Sequence, residues 1–369
     1  MSVKRKADHI SVSLNYDVEA KREEGWGDVY LMHECLPEIN RDDIDRSVKL
    51  CGHVFRYPLM ISALTGGCPK ANTINEVLAR AAEHFGIGIE LGSQAPLLST
   101  PETEYTYTVA RETAPNAFMV ANIGASRLIE QPRRASLSLE NIQHLIDTIR
   151  ADAIAIHLNF LQEAVMPEGD SRAKSCLNAI KTVAEGISVP VIVKETGAGI
   201  SGKQAAQLFA SGVSILEIGG AGGTSMALVE SQRARLNKHP RYESLGSRFA
   251  YWGIPTVVSL VETVNQGVPV IASGGISNGL EAAKALSLGA SLVGVARPLL
   301  QVAVQGYAAV EDWFSRFFDE LSVAMFLSSS TSIAELQTRR IVILGRTGQW
   351  LRQLGYNLPE YLNNHNRRS

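Results

Sequence analysis

The 369 residues are 45% hydrophobic and 20% charged and carry a formal net charge of −2, the make-up of an ordinary globular protein. That balance excludes a nucleic-acid partner bound through a broad basic face, since the largest basic clusters, Lys4-Arg5-Lys6 and Arg367-Arg368, sit at the two ends. No apolar run approaches the roughly 18–20 residues of a membrane helix, the N-terminus lacks the apolar stretch of a secretory signal, and Cys35, Cys51, Cys68 and Cys176 fit no close-spaced ligand pattern, so they read as free thiols in a reducing, cytoplasmic setting.

In chain order, residues 1–50 mix acidic and basic side chains around one apolar run, Val29-Tyr-Leu-Met32, and read as an N-terminal arm or cap. Short apolar strand candidates then follow at 57–62, 88–91, 118–122, 153–158, 190–194, 214–218, 269–273 and 291–295. Between them lie helical patterns at 71–85, 101–113, 139–149, 172–187, 202–210, 255–266 and 280–288, and a last helix near 299–304 continues at 310–327. Eight strands alternating with helices predict a parallel (β/α)8 TIM barrel over residues 51–333, with a doubly wound open sheet as the alternative. The charged region 226–251, with Arg233, Arg235, Lys238 and Arg241, reads as a loop excursion after the sixth strand, a common place for a lid. Residues 334–369 read as an extension packed on the barrel, with a strand-like run at 341–344 and then an amphipathic helix.

In such a barrel the ligand gathers where the strands end. Pro269-Val-Ile-Ala-Ser-Gly-Gly-Ile-Ser277 and, after one helix, Ser291-Leu-Val-Gly-Val-Ala-Arg-Pro298 read as two successive strands ending in small-residue turns. Glycines let backbone N–H groups approach an anion, and a following helix adds its dipole, so the pair predicts a phosphate cradle. Gly222-Gly-Thr224 offers more backbone donors and a hydroxyl, and a flavin mononucleotide fits the layout. His157, Asn159, Gln162 and Glu163 form a second group. A histidine alone at a strand end is more often a satisfied core residue, but four polar groups within seven residues point to a polar head group, with Glu163 as a hard ligand for the Mg2+ that a diphosphate requires. Lys194 ends the buried run Val191-Ile-Val193. It can act as a cation against a phosphate or a flavin N1–C2=O edge, or as an amine forming a Schiff base. Arg5 and Lys6 lie where an arm could fold over the barrel mouth to meet an anion.

Together these residues resemble the type 2 isopentenyl diphosphate isomerase family, which uses FMN. The resemblance runs through Arg5-Lys6-Ala-Asp-His9, Thr65-Gly-Gly67, Gly92-Ser-Gln94, Ala121-Asn-Ile-Gly124, His157-Leu-Asn159, Gln162-Glu163, Pro167-Glu-Gly169, Val193-Lys-Glu195, Gly222-Gly-Thr224, Trp252-Gly-Ile-Pro-Thr256 and Ser273-Gly-Gly275. It implies a 1,3-proton shift interconverting isopentenyl and dimethylallyl diphosphate, on a flavin reduced by NADPH or a similar donor and itself serving as acid and base. By resemblance, Ala63, Leu64, Thr65, Ser93, Asn122, Lys194, Thr224, Gly274, Gly275, Ala296 and Arg297 fall at flavin positions. Arg5, Lys6, Ser93, His157, Asn159 and Gln162 fall at substrate positions, with His157 and Gln162 assisting the chemistry, and Glu163 falls at the Mg2+ position. A homo-oligomer, tetramer or octamer, is also implied. The chain departs from the family at Ala95, where an arginine usually grips the diphosphate, at Met226, where an aromatic is usual, at Leu64 for methionine, and at Arg127 for glutamine. Arg127 is a candidate to replace the missing charge. Ala95 and Met226 also raise a longer prenyl diphosphate as an alternative substrate, or a binding protein without activity.

Overall fold

The structure, a computed structural model, describes residues 3–20 and 24–360. Tyr361, at the end of the expected tail helix, and the Arg367-Arg368 cluster lie outside the described residues.

Eight parallel strands close into a barrel: β1 (Leu59–Ile61), β2 (Gly88–Glu90), β3 (Met119–Gly124), β4 (Ala153–Leu158), β5 (Val191–Glu195), β6 (Ile215–Glu217), β7 (Val270–Ser273) and β8 (Leu292–Val295), with β8 returning to β1. Their registers bring Gly124 beside His157, His157 beside Lys194, Lys194 beside Glu217 and Ser273 beside Gly294. Side chains alternate along a strand. Ile154, Ile156, Val191, Val193 and Leu216 therefore join the layer under the helices, while Met60, Val120, Ala155, Ile192, Ile215, Ile271 and Leu292 fill the barrel interior with Phe55 and Phe118. Two residues further along each strand, the same inward parity places Ser62, Glu90, Asn122, His157, Lys194, Glu217, Ser273 and Gly294. The barrel is dry below and polar above, and that polar layer is the floor of the site.

The helical patterns hold with ends shifted by a few residues. The expected helix at 101–113 is a 3-10 turn, Pro101–Thr103, followed by a helix, Tyr105–Thr113, with Pro101 in the first position that tolerates a missing N–H. The expected 172–187 helix begins only at Cys176.

The region 226–251 corrects the sequence reading. It is a helical hairpin, Met226–Leu236 and Pro240–Arg248, and not a loop excursion. Its charge suggested solvent, but Glu230 and Arg233 are buried against one another, and Ser231 Oγ donates to the Glu243 carbonyl at 2.9 Å. The N-terminal segment forms a helix, Val3–Asn15, laid against the hairpin, with Val12, Val18 and Val229 in one small apolar cluster. Further along, Val29–Leu31 pairs antiparallel with Ile341–Ile343, so the arm and the C-terminal extension share a two-stranded sheet.

Candidate active site

A cavity of about 630 Å3 opens at the C-terminal rim of the strands. Every expected site residue except Thr65 lines it: Arg5, Lys6, Ala63, Leu64, Ser93, Asn122, His157, Asn159, Gln162, Glu163, Lys194, Thr224, Gly274, Gly275, Ala296 and Arg297. Thr65 is buried, and its carbonyl accepts from Gly92 N–H at 2.9 Å and Asn75 Nδ2 at 3.4 Å. Ala95 and Arg127 do not line the cavity. Ala95 is a buried residue of the 3-10 turn Ala95–Leu98.

The arm forms the roof. Arg5, Lys6, His9, Ile10 and Ser13 all line the cavity, and their spacing is that of one helix face. Lys6 Nζ donates to the Ser93 carbonyl at 3.2 Å, and burial, with Arg5 beside it, lowers its pKa to about 8. Arg297 was expected at the flavin, but its side chain holds the arm: Nε donates to the Ser13 carbonyl at 2.8 Å, an Nη donates to the Tyr16 carbonyl at 3.1 Å, and the guanidinium pairs with Glu19.

Glu230, which sequence reasoning missed, ties roof to wall. Its Oε1 meets His9 Nε2 at 2.8 Å and accepts from Gln162 Nε2 at 2.6 Å, while Oε2 accepts from Arg233 Nε at 2.7 Å. Burial opposes ionisation here, yet His9, Arg233 and Gln162 hold the carboxyl down at about 2. A carboxylate depressed in the folded state stabilises above its unfolded value of about 4.3 and loses that contribution as pH falls toward 2. Glu230→Gln is therefore expected to cost about 3 kcal/mol at pH 7 and to flatten the acid limb of a melting-temperature profile between pH 5 and 2. An unchanged limb would show that Glu230 does not secure the arm.

On the wall, Asn122 Nδ2 donates to the Leu91 carbonyl at 3.0 Å, which leaves its Oδ1 to accept from His157 Nδ1 at 2.7 Å. His157 then carries its proton on Nδ1 and leaves Nε2 bare. Burial first, and then Lys6, Lys194 and Arg5, lower its pKa to about 3, so it is neutral. Glu163 Oε1 accepts from Asn159 Nδ2 at 3.0 Å and Oε2 from Asp170 N–H at 2.7 Å, leaving lone pairs on both oxygens. Burial raises this carboxyl above the ordinary range.

The floor holds the other residues that sequence reasoning missed. Lys194 Nζ donates to Glu90 and, at 2.5 Å, to Glu217 Oε2. Burial alone would lower the Lys194 pKa, but Glu217 and Glu90 raise it, so the amine stays protonated and the Schiff-base option falls away. The signal for both carboxylates was in the strands: Glu90 and Glu217 share the inward parity of Lys194.

The far wall is glycine. An added Cβ on Gly223 would lie 2.6 Å from Gly275 N, so the 222–224 and 274–275 turns touch main chain to main chain. Gly222, Gly274 and Gly275 have φ of 139°, 113° and 71°, where side chains are strained. Among the described residues, the N–H groups of Gly274, Gly275, Ala296 and Arg297 find no backbone acceptor. Converging unpaired donors around bare backbone suit a phosphate, and the cavity suits the cofactor attached to it.

The comparisons agree with this geometry. The profile of the FMN-dependent dehydrogenase family matches residues 133–343. A lactate oxidase from Pediococcus acidilactici superimposes with a TM-score of 0.64 at 15% identity over 93% of both chains. A mandelate oxidase variant with (S)-mandelic acid gives 0.62 at 16% identity over 93% of this chain and 98% of that one. At such identity the likeness shows the fold alone. The fold and the matching profile define a barrel of the FMN-dependent dehydrogenase family. Isopentenyl-diphosphate delta-isomerase of Methanothermobacter thermautotrophicus is 44% identical over 97% of this chain and 98% of its own length, and the protein of that name from Halobacterium salinarum is 43% identical over 95% and 96%. The chain belongs to the FMN-dependent, type 2 isopentenyl-diphosphate delta-isomerase family.

Proposed function

We propose that the chain interconverts isopentenyl and dimethylallyl diphosphate by a 1,3-proton shift. One observation carries this reading: a single cavity joins the glycine cradle and Lys194 to the arm cations and the His157–Asn159–Gln162–Glu163 group. The main chain at Gly223, Gly274, Gly275, Ala296 and Arg297 would hold the FMN phosphate, with Lys194 under the ring. FMN supplies, once reduced by NADPH or a similar donor, an electron-rich ring that can give and take a proton without net oxidation.

The chain's own residues bind, orient and exclude water. Arg5 and Lys6 offset the diphosphate charge from the roof, and Mg2+ on Glu163 offsets it from the wall. A diphosphate beside His157 counters the cations that, after burial, depress its pKa, and so favours a proton on Nε2. Gln162 is fixed by Glu230 through Nε2, and its Oε1 accepts from Asn159 Nδ2 at 3.5 Å. Ile10, Leu64, Met226 and Leu300 give the hydrocarbon a dry surface. A longer prenyl diphosphate is not favoured: Ala95 does not line the cavity, so its small size does not widen it. No helix among the described residues is long and apolar enough to cross a membrane. We place the enzyme in the cytoplasm as a tetramer or octamer.

The test is anaerobic incubation of FMN-loaded, reduced protein with Mg2+ and isopentenyl diphosphate. Dimethylallyl diphosphate should appear, vanish with EDTA and return with Mg2+. A flavin-loaded, reduced protein that forms none would overturn the reading.

A further inference from the structure

Two carboxylates press on one ammonium in the barrel floor. The Lys194, Glu90 and Glu217 side chains are at most 6% exposed, and their charges do not balance. Among the described residues, the groups packed around them supply no second cation. Ser62 and Ser273 are hydroxyls, and Ala63 offers an N–H. His157, beside Lys194 in the next strand, is neutral. Glu195 turns its own carboxylate onto the N–H groups of Thr196, Gly197 and Ala198. A buried excess charge is strongly disfavoured, so one carboxyl should hold a proton.

The partners decide which one. Glu217 has both oxygens satisfied: Oε1 accepts from Ser62 Oγ at 2.7 Å and Oε2 from Lys194. Glu90 takes both of its donors, Lys194 Nζ and Ala63 N–H, on Oε2, and its Oε1 is buried with no partner. Glu90 does not line the cavity, whereas Lys194 and Glu217 do.

We propose that Glu90 is a proton-holding positioning residue: with Glu217 it clamps the Lys194 ammonium, and its Oε1 takes a proton from solvent when negative charge is added to the flavin ring above that ammonium. The inference rests on the reading that Lys194 contacts the flavin. Burial and then Glu217 raise the Glu90 carboxyl to about 7 against the pull of Lys194. Glu217 is lowered, since Lys194 and its hydroxyl partners outweigh burial. Negative charge above Lys194 draws on the same ammonium and raises Glu90 further, so a Glu90 ionised before reduction is protonated after it. The two electrons come from the external reductant. One proton beyond those on the flavin passes from solvent to Glu90, and no other bond changes.

The experiment reads protons rather than turnover. FMN-loaded wild type is photoreduced in weak buffer with a pH indicator, across pH 5.5 to 9. Proton uptake per two electrons should rise above pH 7 by as much as one proton and carry a new protonated-carboxyl infrared band. Glu90→Gln should lose both the rise and the band, and above pH 7 its reduction equilibrium should be more favourable by roughly tenfold. Uptake that follows the same pH dependence in both proteins overturns the proposal, as does a flat profile in wild type if the variant does not fold. Wild type that fails to retain FMN overturns instead the reading beneath it. In that case the cofactor-free protein still reports the clamp: a protonated-carboxyl band at pH 5.5 that disappears by pH 9 and is missing from Glu90→Gln supports it, and a wild type without such a band, or a band unchanged in the variant, sinks it.

Discussion

Lys194→Ala is expected to lose about 3–5 kcal/mol of folding stability at pH 8 and to regain much of it at pH 5. In the wild type the ammonium is the only cation touching Glu90 and Glu217 among the described contacts, and both carboxylates are sealed in the barrel. Removing it leaves two buried charges facing each other with no counter-ion. They can be relieved only by taking protons, which raises both folded pKa values well above the unfolded value of about 4.3. The sign follows. A carboxyl raised in the folded state binds more protons there than in the unfolded chain, so stability falls as pH climbs through the unfolded value and toward the folded one. The melting temperature of the variant should drop more steeply between pH 5 and 8 than that of wild type. Lys194→Met, which fills the same space without charge, should show the same slope and so separate electrostatics from a packing void. A variant whose melting temperature is parallel to wild type across that range would mean that the carboxylates are not held by Lys194. FMN binding should weaken in both variants, since the floor under the proposed ring position loses its donor.

Gly274→Ala is the second large effect. The residue sits at φ 113°, and an added Cβ would lie 2.4 Å from the Gly220 carbonyl oxygen and 2.8 Å from Gly220 N. Those neighbours are backbone in the adjoining turn, which cannot swing aside as a side chain would. Backbone strain of about 1–2 kcal/mol adds to a clash of about 1–3 kcal/mol. The turn that presents the unpaired N–H groups must shift, so FMN affinity should fall at least tenfold, read by titrating cofactor-free protein through flavin fluorescence. Gly306→Ala is the control. Its φ is 106°, but nothing lies within 4 Å of the added Cβ. It should cost only the backbone term and leave FMN affinity intact. Equal affinities for the two variants would remove the 274–275 turn from the cofactor site.

The strands and their order were legible because each signal is local. A buried run such as Ala153–Leu158 cannot be a short exposed helix, and the glycines after Ser273 mark a turn wherever the chain goes next. The site residues were legible for the same reason: a barrel gathers its strand ends, so a list of polar strand ends is already a list of cavity residues. Arg297 lines the cavity, but nothing local says that its guanidinium reaches back to Ser13 and Tyr16. The hairpin Met226–Leu236 and Pro240–Arg248 looked like a solvated loop for a related reason. A charged residue in a sequence reads as exposed, and only the tertiary contacts show that Glu230 is spent on His9, Gln162 and Arg233.

What the chain of letters specified alone was architecture and address: short apolar runs, glycine turns and polar rim residues follow from backbone geometry within a few residues. What folding in three dimensions decided was charge. Whether Lys194 is a nucleophile or a clamped cation, and which of two glutamates holds a proton, depends on partners 104 and 23 residues away along the chain. Electrostatic balance in a dry interior is a property of the assembled neighbours, and no local pattern encodes it.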